Sequence, residues 1–308
     1  MLRLSRDQIR AFRRRVGGLD HRQPAGARSL RRAAWAGLQD SMPRAALLSL
    51  NARVDGVGPA SWEDPALAQV WGPRFSAYVV PRSDIPIFTL GRLPEGPGRR
   101  RAVDIADRLD AFLAGRRLDA VEAGRGLGID PNALRYAAST GRVLIRWDGA
   151  RQPMVWTVPA PEMEPMEARL ELARRYLHVF GPATPQGFGR WAGIKPPAVA
   201  AAFERIRPTL MPVRTPVGEG WILAADEDEV RAPAEAAAPA RLLPSGDTFF
   251  LLWDADRQVL VPDAARRGEL WTSRAGCAPG CRRYRWNLAP GRSGRPDPVV
   301  ARADAGGA

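Results

Sequence analysis

The chain has 308 residues, a formal net charge of +13, and 45% hydrophobic residues. It is too apolar to stay disordered and long enough for more than one compact unit. No apolar run reaches the ~18 residues that cross a bilayer, and the arginine-rich opening stretch lacks a secretory apolar core. A soluble cytoplasmic protein with no membrane partner is expected.

Lys195 is the only lysine, so the basic excess is otherwise arginine. Arginine's planar fork makes the bidentate phosphate contacts that lysine cannot. Charge alone leaves two readings open, a nucleic-acid partner and the bias of a GC-rich gene. The only cysteines, Cys277 and Cys281, form a C-x3-C pair with no histidine nearby, since His21 and His178 lie far away in sequence. That is a poor zinc set, so no metal, no cofactor and no disulfide framework are expected.

In chain order, Ser5 and Gln8 form a capping-box pattern that opens a first helix. Residues 26–38 and 43–54 predict a second and a third. Between these two lies Gln39-Asp40-Ser41, with Arg44 just beyond; aspartate and serine before Pro43 are also ordinary helix-start residues. Residues 75–80 and 86–91 predict two strands after a loop. Further on, Val103, Ile105, Ala106, Leu109, Phe112 and Leu113 recur at helical spacing. A short helix over 118–129 follows, and then one opened by Asp130-Pro131 and stopped by Gly141. Residues 142–147 and 152–158 flank Asp148-Gly149 as a hairpin.

Three helices and a hairpin make a winged helix. The plan returns at 165–224, where Thr184-Pro185 caps the second helix and the strands flank residues 216–220. The predicted fold is therefore mainly α with β wings (α+β): tandem winged helix-turn-helix modules followed by a small C-terminal β domain. Module boundaries are expected at 1–100, 101–160 and 161–230. A linker rich in alanine and proline (231–240) leads into a β unit at 241–273. Winged helices are helix-turn-helix relatives and commonly lay one helix in a DNA groove. Arg135 falls on the third helix of the middle module, and Arg142, Arg146 and Arg151 fall on its wing. Double-stranded DNA is the expected partner, and the chain is expected to act as a monomer associated with the nucleoid.

The stretches at residues 37–54, 70–80, 171–194 and 241–257 together resemble the winged-helix DNA-binding family that includes the AlkZ and YcaQ DNA glycosylases. The likeness covers residues 1–273. It implies a concave DNA-binding surface and hydrolytic removal of alkylated purines, particularly N7-alkylguanine, with unhooking of interstrand crosslinks in the AlkZ branch. Catalytic members carry Gln-x-Gln or Gln-x-Asp where this chain has Gln39-Asp40-Ser41. Gln39 is thus implied to orient water, with Ser41 or Asp40 assisting. Ser41 is shorter than the usual glutamine and lacks the charge of the usual aspartate. Asp40 replaces an apolar residue, and Tyr78 stands in for a histidine, whereas Arg74 is kept. The alternative is a DNA-binding relative, a regulator or damage sensor, that has lost the reaction. With no lysine near the triplet, a monofunctional enzyme is expected over a lyase.

Residues 274–308 lose the strand alternation and become rich in arginine, glycine and proline. The family's closing Gly-Thr-Trp-Arg run is absent, yet residues 286–290 can be back-translated so that a one-nucleotide shift encodes it. A frameshift after about Ser273 is therefore expected, leaving a disordered tail, against the alternative of a native low-complexity tail. The nucleotide sequence decides between them.

Overall fold

The computed structural model describes residues 1–270 except 43, 150 and 234–238. A short strand β1 (Leu2–Arg3) leads into helix α1 (Arg6–Val16). The Ser5 hydroxyl accepts from the Gln8 N–H at 3.2 Å and Gln8 Oε1 accepts from the Ser5 N–H at 2.9 Å, so the capping box is formed. Helix α2 (Ala27–Ala33), strand β2 (Leu38–Gln39) and helix α3 (Ala45–Arg53) follow. Strands β3 (Leu67–Trp71) and β4 (Ala77–Pro81) complete a three-stranded antiparallel sheet in the order β2-β4-β3.

The strand expected at 86–91 is a helix instead. Residues Ile85–Thr89 form α4, with Pro86 in its first turn, where a fixed φ suits a helix start and the missing N–H costs nothing. Ile87 and Phe88 are buried in the core. The hairpin partner of β4 is β3, upstream of it.

The middle unit runs α5 (Pro97–Leu113), β5 (Leu118–Asp119), α6 (Ala120–Gly126), α7 (Leu134–Ala137), β6 (Val143–Arg146) and β7 (Met154–Thr157). Its sheet order is β5-β7-β6. Asp130 accepts from the Asn132 N–H at 2.8 Å, and Gly141 takes φ 76° after α7 and its 3-10 extension. The third unit runs α8 (Pro165–Phe180), α9 (Pro185–Ala192), α10 (Pro196–Ile206), β8 (Leu210–Thr215) and β9 (Gly218–Leu223), followed by α11 (Glu227–Arg231). The Thr184 hydroxyl accepts from the Gly187 N–H, as its position before Pro185 predicts.

The architecture is mixed α and β. The N-terminal segment does not stay with the first unit, because β1 pairs in parallel with β8 and α1 buries Ile9 and Phe12 beside Val213 and Ile222. A large apolar core joins Val70, Tyr78 and Phe88 to Leu172, Tyr176, Phe188 and Trp191. Trp71 and Ala77, on the other face of the same hairpin, enter the core of the middle unit. The β3-β4 hairpin is therefore buried on both sides, and that rigid position is what fixes the triplet next to it.

The C-terminal unit departs from expectation. Residues 241–270 contain no strand; α12 (Arg257–Leu260) and α13 (Ala264–Leu270) follow an irregular stretch. The Asp247 carboxylate accepts from the Phe249 N–H, and its carbonyl accepts from Phe250 and Leu251, which curls the backbone into turns. Leu251 and Leu252 then bury in the shared core rather than facing a partner sheet. The tail at 274–308, with Cys277 and Cys281, and the middle of the expected linker lie outside the described residues.

Arginine does much of the joining. Arg13, Arg53, Arg92, Arg169 and Arg175 are all buried. Arg13 donates to the carbonyls of Phe180, Gly181 and Pro182; Arg92 donates to those of Ala192 and Trp71. Arg169 reaches Gly91 and Leu93, and Arg175 reaches Trp35 and Asp84. Five donors in a fixed fork suit clustered carbonyls at chain crossings. Part of the positive charge is therefore structural.

Candidate functional site

Gln39 is the last residue of β2 and faces Tyr78 across the ladder. Gly37 makes this entry possible, since it takes φ 77° and any Cβ there would lie 2.7 Å from the Phe88 ring. Asp40 continues the ladder by donating its N–H to the Ala77 carbonyl at 2.7 Å. The chain then leaves the sheet and turns into α3.

The three residues of the triplet diverge. Gln39 is 5% exposed and Asp40 3%, whereas Ser41 is at the surface. The Gln39 amide nitrogen donates to the Ser41 hydroxyl. Its oxygen is buried and takes no hydrogen bond from the described residues. Gly246 packs on the other side, where an added Cβ would stand 3.4 Å from the Gln39 Cβ.

Asp40 points away from the opening. One carboxylate oxygen accepts from the Ala46 N–H at 3.0 Å in the first turn of α3, and the other accepts from the Gln69 amide at 2.7 Å. It caps the helix from upstream, as its residue type predicts. Burial pushes its carboxyl up to about 6, and the hydrogen bonds from Ala46 and Gln69 and the charge of Arg44 oppose that rise only in part.

Ser41 opens on a cleft of about 660 Å³ lined by Trp71, Ser76, Arg135, Trp147, Arg151 and Gln152, among others. The cleft joins the first unit's hairpin to the third helix and hairpin of the middle unit. Arg135 is exposed on α7, donates to the Phe75 carbonyl at 3.2 Å and lies 5.9 Å over Trp71. Tyr136, 48% exposed, rests on Phe75 with centroids 4.8 Å apart. The side chain of Arg151 is exposed and has no partner among the described residues.

The other predicted arginines lie elsewhere. Arg44 and Arg146 stack on Trp62, at 4.3 and 3.7 Å, and Arg146 pairs with Glu63 at 2.6 Å. Arg142 pairs with Asp107 and Asp110. Arg74 takes φ 58° and stacks on Trp253 at 4.3 Å. Of the nine predicted site residues, Ser41, Arg135 and Arg151 thus line the cleft, with Gln39 immediately behind Ser41. Sequence reasoning missed Trp71, Trp147 and Gln69. Tryptophan in a strand reads as core, and a glutamine in an apolar strand is the one signal that could have marked Gln69. Among the described residues no group of three or more His, Cys, Asp or Glu converges as a metal site, and no helix is long and apolar enough to cross a membrane.

An open, arginine-bearing cleft with an amide–hydroxyl pair at its edge is thus carried on helix-and-hairpin units. The family model described as DNA glycosylase AlkZ-like matches residues 30–280, and the chain belongs to that family. It is also similar in fold to the Streptomyces sahachiroi DNA glycosylase AlkZ, with a TM-score of 0.71 and 19% identity over 90% of this chain and 84% of that one. No curated protein matches it in sequence.

Proposed function

We propose that the protein is a monofunctional DNA glycosylase that hydrolyses the N-glycosidic bond of alkylated purines of the N7-alkylguanine type. In this reading the three helix-and-hairpin units are tandem winged helices. They hold double-stranded DNA as a monomer in the cytoplasm. The observation that carries the reading is the Gln39–Ser41 pair at the edge of a cleft bearing Arg135 and Arg151.

Alkylation at N7 puts positive charge on the purine, so the base leaves as a neutral group and the sugar passes through an oxocarbenium-like state. The protein's task is to hold a water at the anomeric carbon in line for attack. Ser41 accepts from the Gln39 amide with one lone pair. That leaves its own proton and second lone pair to hold the water from the cleft edge. Asp40 is a positioning group here, because both its oxygens are already engaged. The two arginines hold phosphates beside the lesion.

That same commitment of Asp40 favours a second reading, a DNA-binding relative without the reaction, since no carboxylate of the triplet reaches the cleft. A duplex carrying one N7-methylguanine separates the two. Strand scission by alkali after incubation, abolished in Gln39→Ala, is the expected result. A folded wild-type chain that binds the duplex and releases no base establishes the second reading.

A further inference from the structure

Gln69 belongs neither to the triplet nor to the arginines, yet it is buried in β3 with both ends of its amide engaged. Its nitrogen donates to Asp40 at 2.7 Å and to the Trp147 carbonyl at 3.2 Å, and its oxygen accepts from the Trp147 N–H at 2.6 Å. Trp147 is the first residue after β6, so both peptide groups of that turn are held by one side chain from another unit. A second contact lies one residue away, where Arg146 stacks on Trp62 and pairs with Glu63. A buried amide that bridges residues 29 and 78 positions away in sequence fixes register in a way that an apolar side chain of equal volume cannot.

The bridge lies behind the cleft lining and ties its two sides together. On one side it holds Asp40, next to Ser41; on the other it holds Trp147, which lines the opening together with Arg151. We propose that Gln69 is a positioning residue for base excision: by tying Asp40 to the backbone of Trp147 it sets the separation between Ser41 and the wall of the middle unit. The proposal rests on the glycosylase reading above. Any base resting against Trp147 would meet a water held by Ser41 at a distance that Gln69 defines.

Two variants test this in the full chain on the N7-methylguanine duplex. Gln69→Leu removes every hydrogen bond at similar volume. Its single-turnover excision rate is expected to fall roughly 10- to 100-fold, with affinity for undamaged duplex unchanged and faster amide exchange at Trp147. Gln69→Glu keeps the acceptor for Trp147 but sets a second carboxyl against Asp40, on which Arg44 is the charged group acting. One proton shared between the two carboxyls restores the bridge, so the rate of this variant relative to wild type should recover as the pH is lowered from about 8 to about 5. Wild-type excision with equal rates in Gln69→Leu overturns the positioning role alone. Loss of folding in both variants also overturns it, since Gln69 would then serve stability only. No excision by the wild type overturns the glycosylase reading and this inference with it.

Discussion

Two aspartates hold the two ends of α3, and the protein drives their carboxyls in opposite directions. Asp40, at the end near the cleft, meets a neutral amide and a backbone N–H, and burial raises it to about 6. Asp247, at the far end, is also buried, but Arg53 grips both of its oxygens at 2.7 and 2.9 Å and Ser49 donates at 2.6 Å, which holds its carboxyl below the usual range despite burial. What separates them is the partner: a guanidinium compensates a buried charge, and an amide does not. The far end of the helix is thus an anchor down into acid, whereas the end beside the triplet is the one that titrates up to about pH 6.

Breaking the anchor should have the largest effect. Arg53→Met leaves Asp247 charged and uncompensated in the interior, and should cost about 3–5 kcal/mol in urea unfolding. A loss below about 1 kcal/mol would mean that Asp247 is reached by water and the contrast is false.

The pH dependence sharpens the comparison. A carboxyl raised to about 6 in the fold binds its proton more tightly folded than unfolded, so the stability Asp40 contributes is greatest in acid. It declines as pH rises from about 4 to about 6, by a total on the order of 3 kcal/mol. Asp247 has the opposite sign: its contribution is present above its unfolded value near 4 and is lost only below it. The stability difference between wild type and Asp40→Asn should therefore change across about pH 4–6. That for Asp247→Asn should change only on the acid side. Coincident profiles would sink the distinction.

The same contrast between matched and unmatched charge applies to DNA contact. Arg142 is already neutralised by Asp107 and Asp110, whereas the side chain of Arg151 faces the cleft alone among the described residues. Arg151→Ala should lower the salt slope of duplex binding by about 1, and Arg142→Ala should leave it unchanged. The smallest effect belongs to Gly246, whose added methyl would make only ordinary contact with Gln39. Gly246→Ala should gain about 0.4–1 kcal/mol in thermal unfolding, with the excision rate unchanged.

Local signals were legible in the sequence where one residue type does one job. Ser5, Asp130 and Thr184 cap their helices, Gly141 ends one, and the 143–146 and 154–157 strands pair as the alternation predicts. Longer-range decisions were not legible. Residues 86–91 have a strand's composition, but Pro86 and a place against α8 make them helical. Phe249–Trp253 look like a strand and instead form a turn and an irregular run, because the Asp247 carboxylate and carbonyl take the N–H groups of Phe249, Phe250 and Leu251. At the site, Asp40 as a cap followed from its type and place. The diversion of Arg74 to Trp253 and of Arg44 and Arg146 to Trp62 depended on which indoles came near, and no local pattern carries that. Composition likewise could not separate arginines that face solvent from the five that hold carbonyls in the interior.

The pairing of β1 with β8 sets an order on synthesis. Leu4, Ile9 and Phe12 leave the ribosome well before their partners Val213 and Ile222, which come some 200 residues later. At usual elongation rates that interval is roughly 10–40 s. Through it the apolar face of α1 waits without the strand residues it will finally bury against, and it closes the molecule only when the third unit has emerged.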